Sequence, residues 1–327
     1  EEVKKSLQEK VPTKFHDAIL THCKELVDSS RNRMSQYYET WDLSRRTYDA
    51  ERVPDATDRK AKRDKEPAKM VVPLTYAQIN TFIAFCFMLF GQRRRVFELE
   101  ATGAEDFQLV EATEAVLERD LRHNKFANLL FQFLLDVGRF GFGVWKHGWV
   151  IEKQRVKVRN AEVVLGEEVD ETFEYVDVPS YEGNRLEVVS PYKFFPDTRL
   201  PLTRMHEGEF CASEDEYTKV RLRELEGFGQ CAGVEHIESF DGIDLATRRE
   251  KSRFDWIDLD DPSKESNMVC VTEVQVKIIP NEFEVAPGKK LGKETFPVAY
   301  LVWYVNDSRV IRVEELDYVH GRFTYDA

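Results

Sequence analysis

Seven histidines, a glycine–lysine loop, an acidic cluster and two basic runs are the residues of this chain best suited to chemistry. The histidines are His16, His22, His123, His147, His206, His236 and His320. None falls in H-E-x-x-H, the helical spacing that brings two imidazoles to one zinc ion. His236-Ile237-Glu238 matches half of the zinc deaminase signature, but no P-C-x-x-C follows to complete the ligand set. Gly288-Lys-Lys-Leu-Gly-Lys-Glu294 approaches a phosphate-binding loop. That loop needs four residues between its glycines and a Ser or Thr after the lysine to hold magnesium. Here three intervene, and the Glu294 carboxylate would repel phosphate, so the segment reads as a surface turn. Asp255, Asp258, Asp260 and Asp261 offer oxygen ligands for a hard cation but lack the EF-hand spacing and its glycine. They read as an acidic loop. No G-x-S-x-G occurs. The sequence therefore assigns no catalytic residue, no cofactor-binding residue and no metal ligand, and it reads as a protein other than an enzyme.

The basic runs are of a different kind. Arg93-Arg94-Arg95 follows an apolar segment and suits a helix C-terminus, where cations complement the dipole. It is also a candidate contact for a partner or a neighbouring subunit. Lys153, Arg155, Lys157 and Arg159 alternate along one strand face, after Trp145, His147, Trp149 and Ile151. An aromatic face grading into a basic one suits single-stranded nucleic acid. However, Glu167, Glu168, Asp170, Glu171, Glu174 and Asp177 follow, and a hairpin pairing about 150–159 with about 172–178 sets opposite charges across from each other. The charge-paired hairpin is the favoured reading. Its tip, about 160–171, projects, and its four cations are candidate subunit or partner contacts.

Net charge and composition set wider limits. The chain has 327 residues, 47 Lys and Arg and 60 Asp and Glu, a net charge of -13. Residues 1–150 hold 24 basic and 23 acidic residues, so 151–327 hold 23 and 37, and the whole excess lies in the second half. Such a body does not coat duplex DNA nonspecifically. Five widely spaced cysteines without C-x-x-C argue against a disulfide framework or zinc site and fit a reducing compartment. The opening EEVKKSLQEK lacks the apolar core of a signal peptide. The missing initiator Met and the unpunctuated end fit one part of a longer protein. From Met70 to Gln92 no residue is charged, but Pro73, Thr75, Gln78, Asn80 and Thr81 dilute the apolar content. A buried helix, not a membrane span, is expected there.

The elements that carry these residues divide the chain in two. Phe15, Ile19, His22/Cys23, Leu26, Ser30, Met34, Tyr37 and Trp41 form one stripe of a helix from about 13 to 49, capped by Thr13. It would run roughly 55 Å at 1.5 Å per residue. Such a length calls for an extended body or a neighbouring subunit. Residues 51–66 are charged at 11 of 16 positions and read as a loop. A helix follows Pro73 and stops near Gly91, with Phe82, Phe85, Phe87 and Phe90 around it, which predicts burial on most sides. Helices at about Ala104–His123 and Phe126–Phe140 come next, the second too apolar through Leu129–Leu135 to be exposed. Gly138-Arg-Phe-Gly-Phe-Gly143 reads as a helix cap leading into a sheet, the wrong order for a phosphate cradle. From Phe142 the period becomes two. Strands are expected at about 185–189, 207–212, 267–279, 296–305 and 309–315, with residues 227–266 irregular. Ser213 and Glu216 form a capping box opening a helix at about 214–225. The fold class is α+β: long N-terminal helices packed on a β-rich second half.

The segment Val71-Val-Pro-Leu-Thr-Tyr-Ala-Gln-Ile-Asn-Thr-Phe82, after a long amphipathic helix and a charged loop, resembles the opening of portal proteins of tailed bacteriophages, the short-tailed type above all. Asp120-Leu-Arg-His-Asn-Lys-Phe126 with Asp136-Val-Gly-Arg-Phe-Gly-Phe-Gly-Val-Trp145 is similar to their helix-then-strand passage, and so is Val188-Val-Ser-Pro-Tyr-Lys-Phe-Phe-Pro-Asp197. The likeness covers about 13–225. It implies a ring, usually of twelve subunits, that replaces one pentamer at a capsid vertex and conducts double-stranded DNA during packaging and ejection. The implied partners are further copies of the chain, capsid protein, the terminase motor and tail adaptor proteins, with the ATPase chemistry in the motor. The implied location is the virion, with host cytoplasm during assembly. On this likeness residues 1–141 are the helical part of the wing, with its charged loop at 50–69. Residues 142–327 are its β-rich part, and the stem, clip and crown are not seen before residue 327. The alternatives are another virion structural or adaptor protein without a DNA channel, or a hydrolase.

Overall fold

The computed structural model describes residues 14–50, 72–91, 96–101, 103, 107–164, 167–237, 268–286, 288–316, 318 and 321–327. The Thr13 cap, the charged segment 51–66, Arg93–Arg95, the Asp255–Asp261 cluster and His320 lie outside these residues, as do the side chains of 159–172, which include most of the expected charged tip.

An α+β fold is formed. Helix α1 (Lys14–Tyr48) runs for 35 residues, about 52 Å at 1.5 Å per residue. Its buried positions, Phe15, Ile19, Cys23, Val27, Ser30, Met34, Tyr38 and Trp41, step by three and four. The stripe is rotated slightly from the expected one. Val27 and Tyr38 face inward, whereas Tyr37 is exposed. The helix lies along the body of its own chain. Its first half joins a core with Phe195, Phe210, Val274, Val276 and Val302, and its second half joins Phe140 and Tyr192.

Three shorter helices follow: α2 (Leu74–Gly91), α3 (Phe107–His123) and α4 (Phe126–Phe140). Gly141 ends α4 at φ 89°, and its N–H donates to the Val137 carbonyl, as expected of a C-cap glycine. Inside α4, a Cβ on Gly138 would come within 2.8 Å of Ile79 Cγ2, so the missing side chain lets α2 approach closely. Gly138→Val is therefore expected to push α2 off α4 and cost about 1–3 kcal/mol in thermal or urea unfolding, as overpacking does.

The strands make two main sheets. β1 (Val144–Val164) and β2 (Glu167–Val189) form one long antiparallel ribbon, joined at its base by β10 (Tyr325–Asp326). The second sheet has the order β3-β4-β5-β8-β9, from β3 (Phe194–Pro196), β4 (Phe210–Thr218), β5 (Met268–Ile278), β8 (Val298–Val305) and β9 (Arg309–Glu315). β6 (Glu284–Ala286) and β7 (Lys289–Lys290) make a small hairpin over Gly288, which carries φ +74°. The glycine–lysine loop is thus a turn, as expected. Helix α5 (Lys219–Gly227) starts after β4, and the Thr218 hydroxyl accepts from the Arg221 N–H.

The capping box expected at Ser213 does not form. Ser213 lies within β4, fully buried, and hydrogen-bonds Tyr325 at 2.8 Å. The acidic run Glu214-Asp215-Glu216 stays in a strand because cations from elsewhere meet it. Arg31 bonds Glu214, and Lys193 lies 3.6 Å from Glu216. Among the described residues, no helix is long and apolar enough to cross a membrane.

Candidate functional site

Two kinds of feature stand out: a polar cluster buried between the sheets, and apolar surfaces that the described residues leave uncovered.

Glu273 on β5 anchors the cluster. One of its oxygens accepts from Lys146 Nζ at 2.8 Å and Trp303 Nε1 at 3.0 Å. The other accepts from the Tyr325 hydroxyl at 3.0 Å. Because the Tyr325 hydrogen points to Glu273, its oxygen is left to accept from Ser213. Gln275 clasps Thr324 twice, donating to its hydroxyl at 2.5 Å and accepting from its N–H at 2.8 Å. Burial is the largest influence on the Glu273 carboxyl and pushes it up, but Lys146, the Tyr325 hydroxyl and Arg312 together outweigh it, and the pKa ends below the ordinary value. Lys146 is raised in turn: burial lowers it, but Glu273, Glu187 and Asp215 together outweigh that. Both groups are charged, paired and enclosed. This arrangement bolts β1 and β10 to the second sheet. Its carboxylate and its ammonium group are hydrogen-bonded to each other.

Asp215 sits nearby, partly buried. Burial pushes its carboxyl up to about 6, Lys146 pulls the other way, and Glu187 adds to the rise. A raised folded-state value means the native protein holds this proton more tightly than the unfolded chain does. Stability from this group falls as pH climbs from about 4 to about 6, and it stays lower above that. Asp215→Asn is expected to stabilise the protein by about 1–3 kcal/mol at pH 8. The gain should shrink towards zero at pH 4, as read by urea denaturation at both values.

The described histidines do not gather into a metal site. His147 and His206 both bond Asp326, at 3.0 Å each, and so fasten β10. His123 stacks on Tyr181 with ring centroids 3.7 Å apart. His22 faces Glu209, and His236 lies beside Glu235. Among the described residues, no group of three or more His, Cys, Asp or Glu is placed to hold a metal ion. All five cysteines are free thiols.

The ribbon carries the alternating cations. Lys153, Arg155 and Lys157 share one face with Asp177, Tyr175 and Phe173, and Arg159 continues the register opposite Phe173. Only part of the expected charge pairing forms. Arg155 grips Asp177 with two bonds, at 2.7 and 3.0 Å. Lys157 instead lies over the Phe173 ring at 4.1 Å, and Lys153 stands opposite Pro179. The other face of the ribbon bears Val156, Val158, Val176 and Val178, all exposed. β10 pairs only with Trp145 and Lys146. Beyond Lys153 the ribbon therefore extends for about 40 Å as two strands, at 3.3 Å per residue. A lone two-stranded ribbon is marginal in water.

Helix α2 is the second uncovered surface, and here the expectation of burial is corrected. Ile79, Ile83 and Phe87 face inward, with Ile79 against Gly138 and the Phe87 ring 6.3 Å from Phe131. The opposite side is equally apolar and open. Leu74, Phe85 and Met88 are 67%, 60% and 59% exposed, and Phe82, Leu89 and Phe90 are close to half exposed. Helix α4 behaves similarly: of Leu129–Leu135 only Leu134 is buried, and Phe131 is exposed. The sequence marks these segments as apolar enough to need cover, and the described residues do not supply it.

No protein-family model matches the chain, and no curated protein matches it.

These exposed apolar surfaces are suited to contact with another molecule. A helix apolar on every side belongs inside a protein assembly or a membrane, and exposed apolar patches of this size mark interaction surfaces. The signal for α2 was its charge-free run. No comparable sequence signal marked the valine face, because the cations alternating with it drew the reading to the other side.

Proposed function

We propose that this chain is a structural subunit of a ring-shaped portal of a tailed bacteriophage, the conduit for DNA packaging and ejection at one capsid vertex. The observation that carries the reading is the pair of uncovered apolar surfaces, α2 and the distal ribbon. They lie on different elements of one chain and have different shapes. A contact that joins unlike patches is heterologous, and heterologous contacts close into rings when the rotation permits. The order of elements adds to this: a long helix, a charge-free helix, a helix pair and then a ribbon, along the span that resembles portal proteins. The acidic second half suits a body past which DNA slides without sticking. Docking of the terminase motor, capsid protein and tail adaptors comes with the proposal, as does location in the virion.

Removing the gene from the virus that encodes it tests the role. A portal subunit is needed before DNA enters, so the expected product is capsids without packaged DNA. Capsids that fill and then leak would place the protein after packaging, as an adaptor, and capsids that fill and hold would end the reading.

A further inference from the structure

We propose that neighbouring copies of this chain join by seating the valine face of one copy's ribbon on the exposed stripe of the next copy's α2. The inference deepens the ring reading and rests on it for closure, although the contact itself needs only a second copy.

The stripe is Leu74, Phe82, Phe85, Met88 and Leu89, whose spacing stacks them along one side of α2, away from Ile79 and Ile83. The ribbon face is Val156 and Val158 on β1, with Val176 and Val178 across from Val156 and Gln154 on β2. Neither surface opposes the other electrostatically. No residue from Met70 to Gln92 is charged. The valine face carries two carboxylates, Glu174 opposite Val158 and, two residues before Gln154, Glu152, which Arg185 pairs. That match disfavours nucleic acid and strongly charged partners, which need fixed charges opposite theirs.

Area points to a second copy as well. With large side chains offering roughly 200 Å² each, the half-exposed residues of α2 present on the order of 700 Å². A stable interface takes about 800 Å² per partner, so α2 offers most of what one neighbour needs, and the four valines, each close to 40% exposed, offer part of the facing side. The valine face of the ribbon is exposed at Val156, Val158, Val176 and Val178, and a helix laid against these valines would cover them. Each copy has one of each surface, so every copy gives a ribbon to one neighbour and receives one from another.

Disulfide trapping in a Cys86→Ser background tests this. Phe85→Cys and Val176→Cys are placed singly and together in the full-length protein. Under mild oxidation, the doubly substituted protein is expected to give a ladder of covalent multimers. The two single variants are expected to give covalent dimers only when mixed, after dissociation and reassembly. Val220→Cys, 80% exposed on α5, serves as a control and should not join the ladder. Dimers from either single variant alone would indicate a two-fold contact and overturn the proposal. So would an assembled protein that shows no trapping by Phe85→Cys with either Val176→Cys or Val178→Cys, each with an unchanged unfolding midpoint. Binding of the unassembled protein to neutral lipid vesicles through α2 would also overturn it. A ladder without closed rings would uphold the contact and defeat the portal reading, whereas rings without trapping would do the reverse.

Discussion

Glu273→Leu is expected to destabilise the protein by about 3–5 kcal/mol, enough to unfold many domains of ordinary stability. The substitution leaves Lys146 buried with its charge and removes the acceptor of the Trp303 N–H and the Tyr325 hydroxyl. Four donors lose an acceptor at once, the fourth being Gln275 Nε2 at 3.4 Å, and each loss carries a desolvation cost. The measurement is urea denaturation at pH 7, compared at constant slope. Adding Lys146→Met should recover a large part of the loss, because an apolar pair of similar volume costs far less than one unpaired buried charge. A single-variant cost below about 1 kcal/mol would mean that water reaches the cluster and that β10 is not bolted there.

Phe82→Asp with Phe85→Asp is expected to dissolve assembly while leaving the fold intact. Both side chains are about half exposed or more on α2 and face away from the Ile79 and Ile83 stripe that holds the helix to α4. If each aromatic ring contributes about 2 kcal/mol to a subunit contact, their joint loss weakens association on the order of a thousandfold. Sedimentation should then show monomer at concentrations where the parent is assembled, with the same unfolding midpoint. A variant that assembles as the parent does would place the contact elsewhere.

Much of the fold was legible in the sequence, for identifiable reasons. The second helix of the pair ends where its glycine signal lies, and Phe126–Phe140 matches the expectation outright. β5, β8 and β9 match to within two residues because their apolar runs sit between clear turns. β4 was misread because local chemistry and tertiary context disagree. Ser213 and Glu216 have capping-box spacing, yet Tyr325, Arg31 and Lys193, all distant in sequence, satisfy the polar groups of that segment within a strand. The Glu273 cluster was invisible for the same reason, as its members come from five separate strands. The exposure of α2 could not be read from composition, which reports that a segment needs cover without saying which molecule provides it. The alternating cations were placed correctly on one face of the ribbon. Their energetic weight was not, since exposed pairs such as Arg155–Asp177 contribute little, while the valines between them form the surface that lacks a partner.

Native mass of the full-length protein, with negative-stain imaging of the same sample, tests the central claim most directly. The expected result is closed rings of about twelve copies with a central hole wide enough for a DNA duplex, a heterologous assembly as described above. A clean monomer or a two-fold dimer at the same concentration would contradict it.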